Sequence, residues 1–163
     1  MRKLFPIFLI CLLLLSGCGT MSRNDATEPA GQLQLGNPWK SYETLHDAES
    51  ACGLDFPVPE AIADTYPANI FRVMNGSLLE VTYTKDDSKI TVRMQAGSDS
   101  DISGVYDNFG YVETTVVSGA SVTEKQSENC RVYLIQKDGY TYSVYASDPQ
   151  AEEPCLEILS HIC

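Results

Sequence analysis

From Asn69 to Ala146 the apolar side chains recur at every second position, the period of a strand with one buried face. Asn75-Gly76 lies between "NIFRVM" and "SLLEVTYT" and predicts a two-residue hairpin turn that needs positive φ. Residues 85–88 close a second hairpin onto "KITVRM", in which Ile90, Val92 and Met94 share a face. "YVETTVV", Ser118-Gly119 and "ASVTEK" make a third. Asp138-Gly139 marks the clearest one, joining "CRVYLIQK" to "YTYSVYA". Its register sets Lys137 against Tyr140, Ile135 against Tyr142 and Tyr133 against Val144, aromatic and aliphatic pairs on one face. Residues 96–110 interrupt the alternation as a long polar loop.

The ends of this region follow a helical period. Ser41 is a candidate N-cap for a helix with apolar positions at Tyr42, Leu45, Ala48 and Cys52, ended by Gly53. "DFPVPEAIADTYP", with three prolines, reads as extended or turn-like. Asp148-Pro149 opens a last helix, and Glu152 and Glu153 suit its first turn. Cys155, Ile158, Leu159 and Ile162 form its apolar stripe, with Leu156 alongside. Both stripes need a partner, and one sheet face supplies it. The expected fold is therefore α+β: an antiparallel meander of about seven strands, with N- and C-terminal helices packed on one face.

The first residues belong to neither pattern. Residues 4–15 are an apolar run of 12 containing Pro6, preceded by Arg2 and Lys3. A membrane-spanning helix needs about 20 residues, so the run has the layout of an export signal. It stops at Leu15-Ser16-Gly17-Cys18, which resembles the lipobox of bacterial lipoproteins. The resemblance implies that the Cys18 thiol receives a diacylglyceryl group and that the chain is cut just before it. Two acyl chains hold a protein on a membrane where one does so only marginally. Residues 1–17 are then the signal peptide. Residues 18–36, rich in Gly, Ser, Thr, Asn and Asp, form a flexible tether, and residues 37–163 form a single domain.

Charge narrows the partners. Loss of Arg2 and Lys3 leaves 9 of 11 basic residues against 22 acidic ones, taking the net charge from −11 to −13. Such a chain is repelled by nucleic acid and by anionic lipid, so the expected membrane attachment is through the acyl chains. Of the 6 cysteines, Cys11 lies in the signal and Cys18 carries the lipid. Cys52, Cys130, Cys155 and Cys163 remain for two disulfides in an oxidising compartment. The helix stripes and the start of the "CRVYLIQK" strand suggest Cys130 with Cys155 and Cys52 with Cys163, the alternative being Cys52 with Cys155.

Catalytic signatures are sparse. There is no Gly-x-Ser-x-Gly elbow, Cys-x-x-Cys or His-Glu-x-x-His. The two histidines, His46 and His161, read as helix surface. Asp99, Asp101, Ser103, Gly104 and Asp107 match positions 1, 3, 5, 6 and 9 of an EF-hand-like loop, but position 12 is Gly110 where a bidentate Glu is needed. No metal, cofactor or catalytic residue is assigned on this reading. Four of the nine tyrosines, Tyr133, Tyr140, Tyr142 and Tyr145, crowd the last hairpin. Packing against the helices accounts for them better than a face that stacks on sugars or peptides.

The lipobox and tether are followed by "NPW", "GLDFPVPEAI", "AGSDSDISG" and "DGYTYSVYA". In this order they resemble a group of small Gram-positive surface lipoproteins of unknown function, and the extracytoplasmic domains of membrane-bound anti-sigma factors. The group offers no catalytic residues to carry over, and the expected function is a non-enzymatic binding or sensing module held by lipid on the outer face of the cell membrane. Its rivals are a carrier that encloses an apolar ligand and a small hydrolase.

Overall fold

A computed structural model describes residues 36–63, 65–97 and 100–163. The signal segment, Cys18, most of the tether and Asp99 lie outside the described residues. The alternation from Asn69 onward becomes strands β3 (Tyr66–Met74), β4 (Leu78–Lys85), β5 (Ser88–Ala96), β6 (Tyr111–Val117), β7 (Ala120–Gln126), β8 (Arg131–Lys137) and β9 (Tyr140–Ala146). Two short strands precede them, β1 (Trp39–Tyr42) and β2 (Ala61–Ile62). The helices are α1 (Leu45–Cys52) and α2 (Glu152–Ile162). The result is an α+β fold, a nine-stranded antiparallel sheet with both helices packed against it.

The sheet runs β1-β3-β4-β5-β9-β8-β7-β6, with β2 paired to β3 outside this path, and it is open at both ends. It joins two meanders. The chain leaves β5, crosses to the far edge and returns strand by strand until β9 pairs with β5 from Ile90↔Ala146 to Ala96↔Tyr140. Turn chemistry sets the registers. Asp86, Ser118-Gly119 and Asp138-Gly139 carry positive φ, and the strands close at Lys85↔Ser88, Val117↔Ala120 and Lys137↔Tyr140. Asn75 and Gly76 also have positive φ, but their hairpin closes at Met74↔Leu78, so the loop has three residues rather than two.

Three other boundaries differ from expectation. Ser41 and Tyr42 pair with Arg72 and Phe71 as part of β1, and the cap of α1 is Thr44, whose Oγ1 accepts from the Asp47 amide at 3.1 Å. A short run such as "WKSY" fits either period, and pairing with β3 decides it. In the proline-rich segment, Ala61 and Ile62 pair with Pro67 and Tyr66 as β2. The second helix begins at Glu152, because Asp148 first accepts the Gln150 amide at 2.8 Å in a tight turn.

One face of the sheet carries the apolar core. Leu79, Val81, Tyr83, Val92, Tyr133, Ile135 and Val144 meet Ala48 of α1 and Cys155, Ile158, Leu159 and Ile162 of α2. Leu156, placed beside that stripe, is exposed. Tyr133 and Tyr142 are buried, and Tyr142 stacks on Phe56, so these tyrosines pack under the helices.

The opposite face is mainly polar, and the described residues of the loop between β5 and β6 lie against part of it. Ile102 and Ser103 of this strap are buried against it. The strap is tied at three places. Arg93 donates through Nη1 to the carbonyls of Ile102 and Ser103 at 2.9 and 2.6 Å. Lys125 pairs with Asp101 at 2.8 Å. Ser127 donates to Asp107 at 2.6 Å.

Candidate functional site

Two polar assemblies adjoin the strap. The first is a row of charges across three adjacent strands. The register places Arg72, Glu80 and Arg93 side by side, all on the strap face. Glu80 is fully buried, yet its carboxylate accepts from Arg72 through Nε at 2.8 Å and through Nη2, and from Arg93 Nε at 2.9 Å. Trp39 of β1 lies over both guanidiniums, with ring centroid distances of 5.0 and 5.5 Å. A buried carboxylate persists only when paired and hydrogen-bonded. Here the carboxylate's partners are internal, and Arg93 extends the row to the strap, so the row serves to anchor it.

The second assembly is an open cleft of about 830 Å³ where the strap, the β7–β8 turn and the approach to α2 meet. Asp107, Asn108, Tyr111, Gln126, Glu128, Asn129 and Gln150 line it, and no described residue lining it is basic. Its floor is organised by one hydroxyl. Ser127 Oγ accepts from the amides of Asn129 and Cys130, both at 3.1 Å, and donates to Asp107. The Ser127 bond and the Asn108 amide, at 2.7 Å, hold the Asp107 carboxyl below the usual carboxylate range. A second hydrogen bond, from Tyr111 to Glu113, raises the phenol pKa above its ordinary value. The cleft thus presents amides, carboxylates and a tyrosine edge.

The described acidic residues of the strap are not gathered together. Asp101 is turned to Lys125 and to Ser103, whose hydroxyl donates at 2.5 Å, while Asp107 faces Ser127. Among the described residues no group of three His, Cys, Asp or Glu side chains converges as a metal would require. His46 and His161 are exposed on their helices. No described helix is long and apolar enough to cross a membrane.

The expected disulfides are overturned: Cys52, Cys130, Cys155 and Cys163 are all free thiols. The reason is strand parity. Tyr133 and Ile135 face the helices, so Cys130 faces the strap, where its thiol lies 3.4 Å from Ser127 Oγ and 3.7 Å from Asp107. Cys155 is buried under α2 on the other side of the sheet, so those two cannot pair. Cys52 turns its thiol back to the Ala48 carbonyl at 3.2 Å, in a helix that contacts β1, β3 and β4. Cys163 ends α2 beside Lys137 of β8, whose ammonium donates to the Ile162 and Cys163 carbonyls at 2.9 Å. Neither Cys52–Cys163 nor Cys52–Cys155 forms.

The Ser127–Asp107 network and the cleft escape the local pattern, because the lining comes from three separated segments. The signal available was "SENC", a cluster of turn-forming residues between two strands. No family model matches the chain, and neither a curated protein nor a solved structure matches it.

Proposed function

We propose that the chain is a lipid-anchored extracytoplasmic protein whose domain is a non-enzymatic binding module, taking its ligand in the Asp107–Gln126–Asn129 cleft. The lipobox and the short apolar run before it support the anchor. The cleft carries the rest of the reading. Its volume of about 830 Å³ lies within the roughly 300–1,000 Å³ of small-ligand sites. Its lining of amides, carboxylates and a tyrosine suits a hydroxyl-rich ligand that is neutral or cationic, such as an oligosaccharide or amino sugar, and disfavours an anion. A carrier of apolar ligands fits less well. The space between helices and sheet is filled by fully buried side chains, among them Tyr83, Leu79, Met94, Ile135 and Ile158.

Two experiments test the parts separately. Cys18→Ala is expected to release the protein from the membrane fraction or leave it unprocessed; a variant that stays membrane-bound at wild-type mass contradicts the anchor. Calorimetric titration of the full-length protein with chitotriose, its deacetylated form and a sulfated disaccharide tests the cleft. Binding of the first two, weakened in Tyr111→Ala, is expected. Preference for the sulfated sugar, or no binding at all, contradicts the ligand class.

A further inference from the structure

The far edge of the sheet is unusually open. All seven residues of β6 are exposed, including Val116 at 76% and Val112 at 59%. Edge strands ordinarily carry devices that block pairing, such as Lys, Pro, a bulge or a short length. β6 has no Lys, Pro or bulge and runs for seven residues; its one charge is Glu113. Its sequence is YVETTVV, and its register with β7 runs without a break from Tyr111↔Gln126 to Val117↔Ala120. The opposite edge, β1, has only four residues.

The turn fixes which peptide groups face outward. Ser118 and Gly119 have φ of 50° and 86° and form a two-residue hairpin loop, in which the closing pair Val117 and Ala120 exchange backbone hydrogen bonds. Bonded pairs alternate along the ladder. Tyr111, Glu113, Thr115 and Val117 therefore bond inward to β7, and the amides and carbonyls of Val112, Thr114 and Val116 point into solvent. Their side chains share the strap face with Ser121, Thr123 and Lys125.

We infer that β6 pairs antiparallel with β6 of a second copy of this chain, on a two-fold axis through Thr114. An axis through Glu113 sets that carboxylate against its own copy in a close, non-bonded pair, and like charges directly opposite repel. An axis through Thr115 leaves Tyr111 and Val112 beyond the partner strand. The axis through Thr114 overlaps all seven residues. Thr114 meets Thr114, Val112 meets Val116, Tyr111 meets Val117, and the sole charge, Glu113, meets Thr115. The three outward residues on each strand make about six backbone hydrogen bonds, and the two Val112–Val116 pairs cover apolar surface now exposed. An unrelated extended peptide gains the same backbone bonds, but a second β6 also supplies this side-chain match from the strand's own sequence.

Cysteine cross-linking of the full-length chain, purified in non-ionic detergent, tests the register. Bonded antiparallel pairs have Cα atoms about 5.5 Å apart, within the disulfide range. Thr114→Cys is expected to give a covalent dimer under mild oxidant. Val112→Cys and Val116→Cys are each expected to give no covalent dimer alone and to give one when mixed. The parent chain gives the background. Sedimentation supplies a second measurement: a concentration-dependent monomer–dimer equilibrium in the parent, lost in Val112→Lys. Equal cross-linking at 112, 114 and 116, or a parent that is monomeric at every concentration, overturns the inference.

Discussion

Glu80→Gln isolates the charge that ties the strap face together. The substitution keeps the side-chain shape, so no cavity term enters. It leaves Arg72 and Arg93 facing each other without the carboxylate between them. Removing one partner of a buried ion pair costs about 3–5 kcal/mol. Glu80 itself is fully buried, but Arg72 is 36% exposed and water takes up part of its charge, whereas Arg93 is 19% exposed. Most of the loss therefore falls on Arg93, at the lower end, about 3 kcal/mol. With a urea m-value of about 2 kcal/mol/M, the unfolding midpoint should fall by about 1.5 M. Arg72→Gln should cost less, because Glu80 keeps Arg93. A midpoint shift below about 0.5 M in Glu80→Gln, the size expected of a surface ion pair, refutes the reasoning.

Gly104→Ala should destabilise the strap by at least about 1 kcal/mol in the same assay, since Gly104 has φ of 68° and a Cβ there would sit 2.5 Å from Arg93 Nη1. Burial pushes the Cys155 thiol up to about 12, so thiol labelling at pH 8 should leave Cys155 unmodified in the native protein; in urea without reductant, peptide mapping should find all four domain cysteines labelled. Burial pulls the Asp101 carboxyl upward, but hydrogen bonds from Lys125 and Ser103 outweigh it and hold the folded pKa below the ordinary value. Ionised Asp101 therefore contributes stability above about pH 4, and this is lost as pH falls through the folded pKa. Asp101→Asn should flatten the acid limb of stability against pH, and an unchanged limb counts against the Lys125 tie.

The second meander was legible because its turns carry their own chemistry. Ser118-Gly119 and Asp138-Gly139 set positive φ and hence register, and register sets which side chains face the helices. The strap face was harder to read. Arg72, Glu80 and Arg93 occupy alternate positions in strands, a pattern that ordinarily marks a solvent face. What covers that carboxylate is Arg72 and Arg93 from the neighbouring strands, with Trp39 of β1 lying over both guanidiniums, and only the pairing of β1, β3, β4 and β5 brings them together. The cysteine pairing failed on strand parity. The stripe containing Cys155 was placed correctly, but Cys130 falls one residue out of phase with Arg131 and Tyr133 and so lies across the sheet. The cleft is assembled from residues 107–111, 126–129 and 149–150, and no local period announces such a meeting.

Intact mass measurement of the protein extracted from its native membrane tests the anchored-module account most directly. The account predicts a chain that begins at Cys18 and carries a diacylglyceryl group on that sulfur. A chain that begins at Met1, or at any other residue without lipid, contradicts it.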